Sequence, residues 1–342
     1  MRKVFISIFL LPFSLFSEEF NWSLKFKPVQ DVFLLMEPFV VEVKVSNKTK
    51  GELGPFEVPH RLYLDGKQCN NDMPAPNLHG IIGIEFEDLQ NFIKNYKSRD
   101  YFPFLLNLTC NSALAPTWWK NDERDDFIGT HTFCYEAKYM KYYYLSCMEF
   151  KVEYPPLGDD RDAYKKFLKG KVPDVTFLNE KEKEALLLEY SASRYAGWIL
   201  PKSYPSFLAF TSGKELINDL LKCRGKRQFD SIWQSDKRLD GNIADPEEEA
   251  QKYIKSASFF LKKHKSHPLS AMIYCNAAYF YIVLGQWREA LEMAEESLNL
   301  DWPEWYFYLN LSEIKDQRRF LKEAKEEIIR KGLESQKEKT IK

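Results

Sequence analysis

The chain has 342 residues, and its 49 lysines and arginines nearly balance its 50 aspartates and glutamates, so the formal net charge is -1. This balance argues against a dedicated nucleic-acid-binding protein, which usually shows a basic excess or a basic stripe. Hydrophobic residues make up 44% and aromatic residues 15%, which excludes a wholly disordered chain, and the length predicts two domains or one domain plus a helical array.

The N-terminus has the layout of a secretory signal peptide. Arg2 and Lys3 precede the apolar run 4–16, and the small Ser17 follows it, just before two acidic residues. The run is shorter than the about 20 apolar residues that a membrane-spanning helix needs. We therefore predict a signal peptide over residues 1–17 and export to the periplasm, the cell surface or the medium. An uncleaved anchor, which would attach the chain to a membrane, and a buried N-terminal helix are the alternatives.

Because export is predicted, the six cysteines of the chain are candidates for disulfide bonds. They are Cys69, Cys110, Cys134, Cys147, Cys223 and Cys275. An oxidising compartment favours disulfides, but six cysteines allow many complete pairings, and the sequence does not choose among them. Four of the six lie in the first half of the mature chain, where we expect one or two bridges. Cys275 lies within a helical pattern, which favours a buried free thiol.

Residues 18–155 contain several short segments with the pattern of β-strands. In segment 39–46, apolar side chains alternate with polar ones, which is typical of a half-buried strand. Segment 61–64 runs into Asp65-Gly66, a pair that favours a hairpin turn. Further strand candidates are 81–86, 102–109 and 130–154. This spacing predicts a β-sandwich, and the phrase from Met36 to Asn47 resembles the opening strands of bacterial immunoglobulin-like domains.

Pro155-Pro156 interrupts the chain, and helical patterns follow it. Segments 163–168 and 182–190 read as helices. Asp245 is a good N-cap residue, and Pro246 fits the first position of a helix whose first turn carries three glutamates. We therefore predict an all-α domain over residues 156–335 and a charged tail over 336–342.

The most specific pattern covers residues 271–304. Small and aromatic residues recur there with the spacing of two packed helices joined by a turn, namely Ala271, Tyr274, Ala278, Tyr281, Gly285, Trp287, Ala290 and Ala294. The segment resembles a tetratricopeptide repeat, a helix-turn-helix unit of about 34 residues. A weaker copy covers 305–338, where Lys315 and Arg319 depart from the pattern. Since one unit cannot bury its apolar face alone, neighbouring helices must stack on it.

A second phrase supports this resemblance. Residues 190–196 read YSASRYA, which resembles the Tyr-Pro-x-Ser-x-Tyr-Ala phrase of periplasmic tetratricopeptide-like lipoproteins, with Ser191 in place of the proline. The resemblance implies a concave helical face that binds a protein or a peptide. We expect Asn276, Tyr279 and Lys315 to be exposed candidates for such binding.

Two further groups of residues suggest chemistry. Trp118 and Trp119 stand beside a run of acidic residues and are candidates to stack on a sugar. The acidic side chains could instead hold a calcium ion. The alternative is a solvated acidic loop, with the two tryptophans packed at the edge of the sandwich. His131 and Cys134 lie close in sequence, but residues three apart on a strand point to opposite faces, which favours a structural or disulfide-bonded Cys134 over a nucleophile.

These observations predict a chain of mixed α and β structure, with an immunoglobulin-like β-sandwich followed by a tetratricopeptide-like helical domain. The resemblance implies an exported, non-enzymatic protein that binds a protein or peptide partner or acts as a scaffold in the cell envelope. The histidine spacing predicts no metal site, and no phosphate-binding motif is present, so we expect no cofactor. A carbohydrate-binding or glycan-processing protein is the alternative, and a cysteine-dependent enzyme is a third hypothesis.

Overall fold

The computed structural model describes nine segments of the chain, which are 22–47, 60–68, 101–107, 128–139, 142–172, 174–201, 217–218, 246–302 and 311–341. These segments contain both β-sheets and helices, so the prediction of a mixed α and β chain is confirmed. The chain divides into two compact units. The sheet unit comprises Met1–Phe33 and Phe39–Glu153, and the helical unit comprises Leu34–Pro38 and Tyr154–Lys342.

The strands of the described residues run in the order β1 (Trp22–Pro28), β2 (Val32–Leu34), β3 (Val40–Asn47), β4 (His60–Leu64), β5 (Lys67–Gln68), β6 (Tyr101–Asn107), β7 (Gly129–Tyr139) and β8 (Tyr142–Glu153). They form a three-stranded sheet in the order β1-β3-β6 and a five-stranded sheet in the order β2-β8-β7-β4-β5. β3 pairs antiparallel with both of its neighbours, and β7 pairs antiparallel with β4 and β8. The predicted strand 81–86 lies outside the described residues.

The hairpin predicted at Asp65-Gly66 is confirmed. β4 and β5 are joined by these two residues, and both have positive φ, 52° at Asp65 and 78° at Gly66. Two central residues with positive φ are the geometry of the two-residue turn that best matches the twist of paired strands. Aspartate tolerates this backbone region better than most residues, and glycine enters it without steric cost.

Aromatic side chains from both sheets meet in the core of the sheet unit. Phe26 on β1 lies 5.7 Å from the ring of Phe133 on β7, in an edge-to-face arrangement. The ring of Phe39 lies 5.6 Å from that of Phe150 on β8. Phe133 and Phe150 are buried. Since β1 and β7 belong to different sheets, the contact between Phe26 and Phe133 brings side chains of the two sheets together.

The helical unit begins with short elements. α1 (Asp159–Ala163) continues into one π-helical segment, Tyr164–Leu168, and a short 3-10 turn follows at Val175–Phe177. Next come α2 (Glu180–Tyr190) and α3 (Ala196–Ile199). α2 begins with a capping box, because Asn179 accepts from the Glu182 N–H at 3.0 Å and Glu182 accepts from the Asn179 N–H at 3.2 Å.

Four longer helices follow, which are α4 (Pro246–Lys263), α5 (Ser270–Val283), α6 (Trp287–Asn299) and α7 (Leu311–Ile341). α4 begins at Pro246, as its sequence predicts. Each helix packs on the next along the chain. Tyr253 on α4 stacks on Phe280 of α5 with ring centroids 4.5 Å apart, and the Ser297 hydroxyl on α6 donates to the Ala271 carbonyl at 2.8 Å. α5 is consequently buried at every position except Tyr281.

α7 differs from the predicted second repeat. A repeat over 305–338 requires a turn near Lys315 and Arg319, yet the helix runs without a break from Leu311 to Ile341. The segment from Leu311 to Lys331 contains no glycine or proline, so nothing in it interrupts the helical hydrogen bonds. The described residues of that predicted copy, 311–338, therefore lie on one helix.

Candidate functional site

The residues predicted to bind a partner lie in different surroundings from those expected. Asn276 and Tyr279 are fully buried, because α5 is surrounded by its neighbours, so the exposure predicted for both is not observed. Lys315 lies in α7, and its side chain is outside the described part. Trp118 and Trp119 lie outside the described residues, so the sugar-binding loop stays a prediction.

The residues of the tetratricopeptide-like pattern lie at the contacts of α5, α6 and α7. Five of them are buried, which are Ala271, Tyr274, Ala278, Ala290 and Ala294. Tyr281 and Trp287 are half-buried. Gly285 has a φ of 68° directly after α5, which allows the sharp turn into α6. A Cβ on Gly332 of α7 would lie 3.5 Å from the Cβ of Trp287, so α7 passes close to the start of α6.

The cysteines that lie in the described residues behave as the sequence suggests. Cys134 on β7 and Cys147 on β8 form a disulfide, which confirms the expected bridge in the first half of the chain. Cys275 is a buried free thiol, and burial raises its pKa to about 12. A thiol with so high a pKa carries almost no thiolate near neutral pH, so it is a structural residue.

His131 and Cys134 do not form a catalytic pair. His131 is buried on the inner face of β7, and its Nδ1 lies 2.8 Å from Oδ2 of Asp65. The other Asp65 oxygen, Oδ1, accepts from the Thr132 N–H at 2.8 Å. Cys134 points to the opposite face of the strand and is bonded to Cys147. The proposed nucleophile is therefore covalently blocked, and the proposed base has a carboxylate partner.

The helical unit contains a buried carboxylate that sequence reasoning missed. The Glu37 side chain is 0% exposed, and it binds the Arg194 guanidinium through two contacts, at 3.1 Å to Nε and 2.8 Å to Nη2. It also accepts from the Leu34 N–H at 2.7 Å and from Trp198 Nε1 at 3.3 Å. Each of these hydrogen bonds offsets part of the hydration that the carboxylate loses on burial.

The segment that carries Glu37 is fixed by further contacts within the helical unit. The Tyr195 hydroxyl donates to the Leu35 carbonyl at 2.5 Å, and the Val175 N–H donates to the Met36 carbonyl at 3.0 Å. Met36 has a φ of 70°, a backbone conformation that residues other than glycine seldom adopt. The surrounding hydrogen bonds keep it there, which shows how firmly Leu34–Pro38 is held.

A buried histidine lies beside this cluster. Nδ1 of His267 accepts from the Leu269 N–H at 3.2 Å, which places the ring proton on Nε2. Within the described residues, Nε2 has no hydrogen-bond partner. The ring packs edge-on against Trp198 and Phe260, with centroids 5.1 Å and 5.2 Å away. A Cβ on Gly197 would lie 2.4 Å from the Phe260 ring and 2.7 Å from the His267 ring, so only glycine fits there.

Both histidines of this cluster have a pKa below the usual value, chiefly because their rings are removed from water. The pKa of His267 lies well below its usual value, first because the ring is buried and then because Arg194 and His264 are near. Burial also lowers the pKa of His264, although its Nε2 lies 2.8 Å from the Ala192 carbonyl oxygen and that contact favours the protonated ring. The Arg194 N–H donates to Asp160 at 2.7 Å, which ties α1 to the same cluster.

Part of this cluster lies in the phrase at 190–196, but the sequence did not predict that the phrase contacts Leu34–Pro38. Arg194 and Tyr195 belong to the phrase at 190–196, and they bind the Glu37 carboxylate and the Leu35 carbonyl, respectively. The Tyr195 N–H donates to the Ser193 hydroxyl at 3.2 Å. The arrangement carries no free nucleophile and fixes the segment Leu34–Pro38 to α3. We regard it as a structural cluster.

The outer face of α4 provides a different kind of site. Lys255, Phe259 and Lys262 follow each other at helical spacing and are exposed, and we name them the α4 outer stripe. The Phe259 side chain is 51% exposed. Lys252 pairs with Glu248 at 2.7 Å, but neither lysine of the stripe has an ion-pair partner in the described part of the chain. Leu188 on α2 is 74% exposed, and the carbonyl of its neighbour Leu187 lies 3.5 Å from the Ser256 hydroxyl of α4.

Neither a metal site nor a membrane-spanning helix is found in the described residues. In the segments that the structure describes, no group of three histidine, cysteine, aspartate or glutamate side chains is placed to hold a metal ion. Across the same segments, none of the helices has both the length and the apolar character that crossing a membrane requires.

No protein-family model matches the chain, and neither a curated protein nor a solved structure matches it.

Proposed function

We propose that this chain is an exported, non-enzymatic protein that binds a protein or peptide partner in the cell envelope through its helical unit. The proposal includes an immunoglobulin-like β-sandwich in the sheet unit and a tetratricopeptide-like arrangement of α4 to α7. The observation that carries the function is the α4 outer stripe, in which an exposed phenylalanine lies between two lysines without ion-pair partners in the described residues.

The packing of the helices determines which surface is available. The concave face expected from the tetratricopeptide resemblance would be formed by α5, but α5 is buried at nearly every position. A partner must therefore contact the outer helices. On α4, burial of Ala250, Tyr253, Ala257 and Phe260 fixes the inner face, which leaves the stripe directed to solvent.

The chemistry of the stripe favours an acidic partner segment with an apolar anchor. Lys255 and Lys262 would pair with carboxylates of the partner, and Phe259 would bury its ring against an apolar side chain. Aromatic residues are among those that contribute most to binding when they become buried at the centre of an interface. Leu188 on the neighbouring helix α2 would extend this apolar contact.

Export is supported by two independent observations. The signal-peptide pattern over residues 1–17 lies outside the described residues, and the disulfide between Cys134 and Cys147 suits an oxidising compartment. The non-enzymatic part of the proposal is supported by His131 and Cys134, whose candidate catalytic groups are engaged by Asp65 and by the disulfide.

Charge reversal on α4 tests the proposed surface. The probe is a set of labelled peptides in which one leucine or phenylalanine stands between glutamates, and binding is read by fluorescence anisotropy. We expect Lys255→Glu with Lys262→Glu to weaken binding by at least about tenfold, since each interfacial charge contact contributes roughly 1 kcal/mol or more. Lys322→Glu, at an exposed position of α7, is the matched control and should leave binding unchanged.

Two outcomes would contradict the proposed surface. One is equal affinity in the charge-reversed variant and the wild type. The other is a failure of acidic peptides to bind better than peptides in which glutamine replaces each glutamate. Circular dichroism of every variant separates a lost surface from a lost fold.

A further inference from the structure

The disulfide of the sheet unit lies in an unusual position for a structural cross-link. Cys134 and Cys147 stand directly opposite each other on adjacent strands β7 and β8, with their Cα atoms 4.1 Å apart. A disulfide stabilises a fold mainly by closing a loop of the unfolded chain, and it does so more strongly for longer loops. Here the bond joins two strands that already form one ladder.

The ladder extends well beyond the disulfide in both directions. The register runs without a gap from Gly129 opposite Val152 to Tyr139 opposite Tyr142. β7 also pairs with β4 on its other side, from His60 opposite Ala137 to Leu64 opposite Phe133. The inner face of the same strands is held by the buried aromatic core. Opening the sulfur–sulfur bond therefore leaves the backbone pairing and the core in place.

The two sulfur-bearing residues differ in their access to solvent. Cys147 is exposed, whereas Cys134 is half-buried beside Tyr63 of β4, which stands opposite it in the register. Leu145, two residues before Cys147 on the same face of β8, is also exposed. A reagent therefore reaches Cys147 first. Exposed disulfides are, as a class, those open to exchange with external thiols.

We propose that Cys134–Cys147 is a thiol–disulfide exchange site, which an external dithiol opens by attack at Cys147 while the sheet stays folded. A thiolate of the dithiol attacks Sγ of Cys147 and forms a mixed disulfide, and Cys134 leaves as a thiolate that takes up a proton. The second thiol of the dithiol then attacks the other sulfur of the same dithiol, which is the one bonded to Cys147 in the mixed disulfide. The reagent becomes a cyclic disulfide, Cys147 is released as a thiol, and two electrons have passed to the protein. This inference is independent of the partner-binding function proposed above.

Differential alkylation of the full chain tests the first part of the proposal. The protein is titrated with dithiothreitol in native buffer, alkylated, and mapped by peptide mass spectrometry, with circular dichroism recorded at each point. Cys275 serves as an internal control, because it is buried and reacts only when the helical unit opens. We expect Cys134 and Cys147 to become labelled at concentrations at least about tenfold below those that label Cys275, with no change in the dichroism spectrum. Labelling only together with Cys275, or only with loss of the spectrum, would overturn the proposal.

A matched pair of variants tests the direction of attack. Cys134→Ser leaves Cys147 as the remaining thiol at this site, and Cys147→Ser leaves Cys134. With an aromatic disulfide reagent, we expect Cys147 to react at least about fivefold faster than Cys134, because only Cys147 is exposed. Equal rates, or a faster Cys134, would contradict attack at Cys147. Failure of both variants to fold would show that the sheet needs the bond, which also overturns the proposal.

Discussion

Both units contain a carboxylate that joins a backbone N–H to a basic side chain, but the two carboxylates differ in burial. In the helical unit, Glu37 binds Arg194 at 2.8 Å and its side chain is 0% exposed. In the sheet unit, Asp65 binds His131 at 2.8 Å and the Thr132 N–H at 2.8 Å, and its side chain is 46% exposed. The distances are alike, but Glu37 is buried and accepts two further hydrogen bonds, from Arg194 Nε and Trp198 Nε1. We expect the buried contact to be far more costly to disturb, because water cannot replace a lost partner there.

The largest effect is expected from Glu37→Gln. The amide keeps the size of the carboxylate but loses its charge, and its NH2 group faces donors, so Arg194 and Trp198 compete for one oxygen. We expect a loss of about 3 kcal/mol in the free energy of unfolding of the helical unit. Urea unfolding followed by the helical circular dichroism signal measures it. A loss below about 1 kcal/mol, the usual range of exposed pairs, would mean that burial does not distinguish the two contacts.

The second prediction concerns two histidines that are equally buried but differ in the charge of their neighbours. His131 has the carboxylate of Asp65 beside it, whereas His267 lies near Arg194 and His264 and has a lowered pKa. Since the folded pKa is below the unfolded value of about 6.5, the unfolded state binds more protons in acid. Stability is therefore complete above about pH 6.5 and falls below it, by at most about 1.4 kcal/mol per pH unit for His267.

His267→Asn should reduce this dependence on pH. Asparagine keeps an acceptor for the Leu269 N–H, which His267 binds at 3.2 Å, but it does not titrate. We expect a shallower fall in the urea midpoint between about pH 7 and about pH 5, with a remainder due to His264. An unchanged slope in this variant would assign the acid sensitivity to other groups.

The smallest effect is expected from Asp65→Asn, which is the same carboxylate-to-amide change as in Glu37→Gln. Asparagine tolerates the φ of 52° at this position and keeps Oδ1 as acceptor for the Thr132 N–H. Only the charge beside His131 is lost, at a half-exposed position, so we expect at most about 1 kcal/mol. Native-state hydrogen exchange of the Thr132 amide measures the change locally. A loss as large as that of Glu37→Gln would remove the distinction between the two units.

Local patterns predicted much of the secondary structure. The start of α4 at Pro246 and the hairpin at Asp65-Gly66 each depend on neighbouring residues, and both are found as predicted. The disulfide pairing could not be chosen from the sequence. Once Tyr139 pairs with Tyr142, counting five residues away from that pair along each strand brings Cys134 opposite Cys147.

Contacts between distant residues could not be predicted in this way. Asn276 and Tyr279 are polar, and polar residues on a helix usually face solvent, but here helices packed around α5 bury them. The need for glycine at position 197 depends on Phe260 and His267, which belong to later elements. Glu37 stands just before a predicted strand, and its pattern gives no indication that it belongs to the helical unit.

Leu34–Pro38 has a consequence for the order in which the chain folds. Glu37 and Arg194 are separated by 157 positions, so during synthesis the acid emerges long before the helices that receive it. Closing so long a loop costs little more entropy than closing one of half the length, but contacts between distant segments form late and slowly. A fragment cut at Tyr154 would carry every helix that the structure describes and still lack the carboxylate that Arg194 and Trp198 bind. The helical unit is therefore continuous in space but not in the gene, and Leu34–Pro38 is translated before the helices on which it docks.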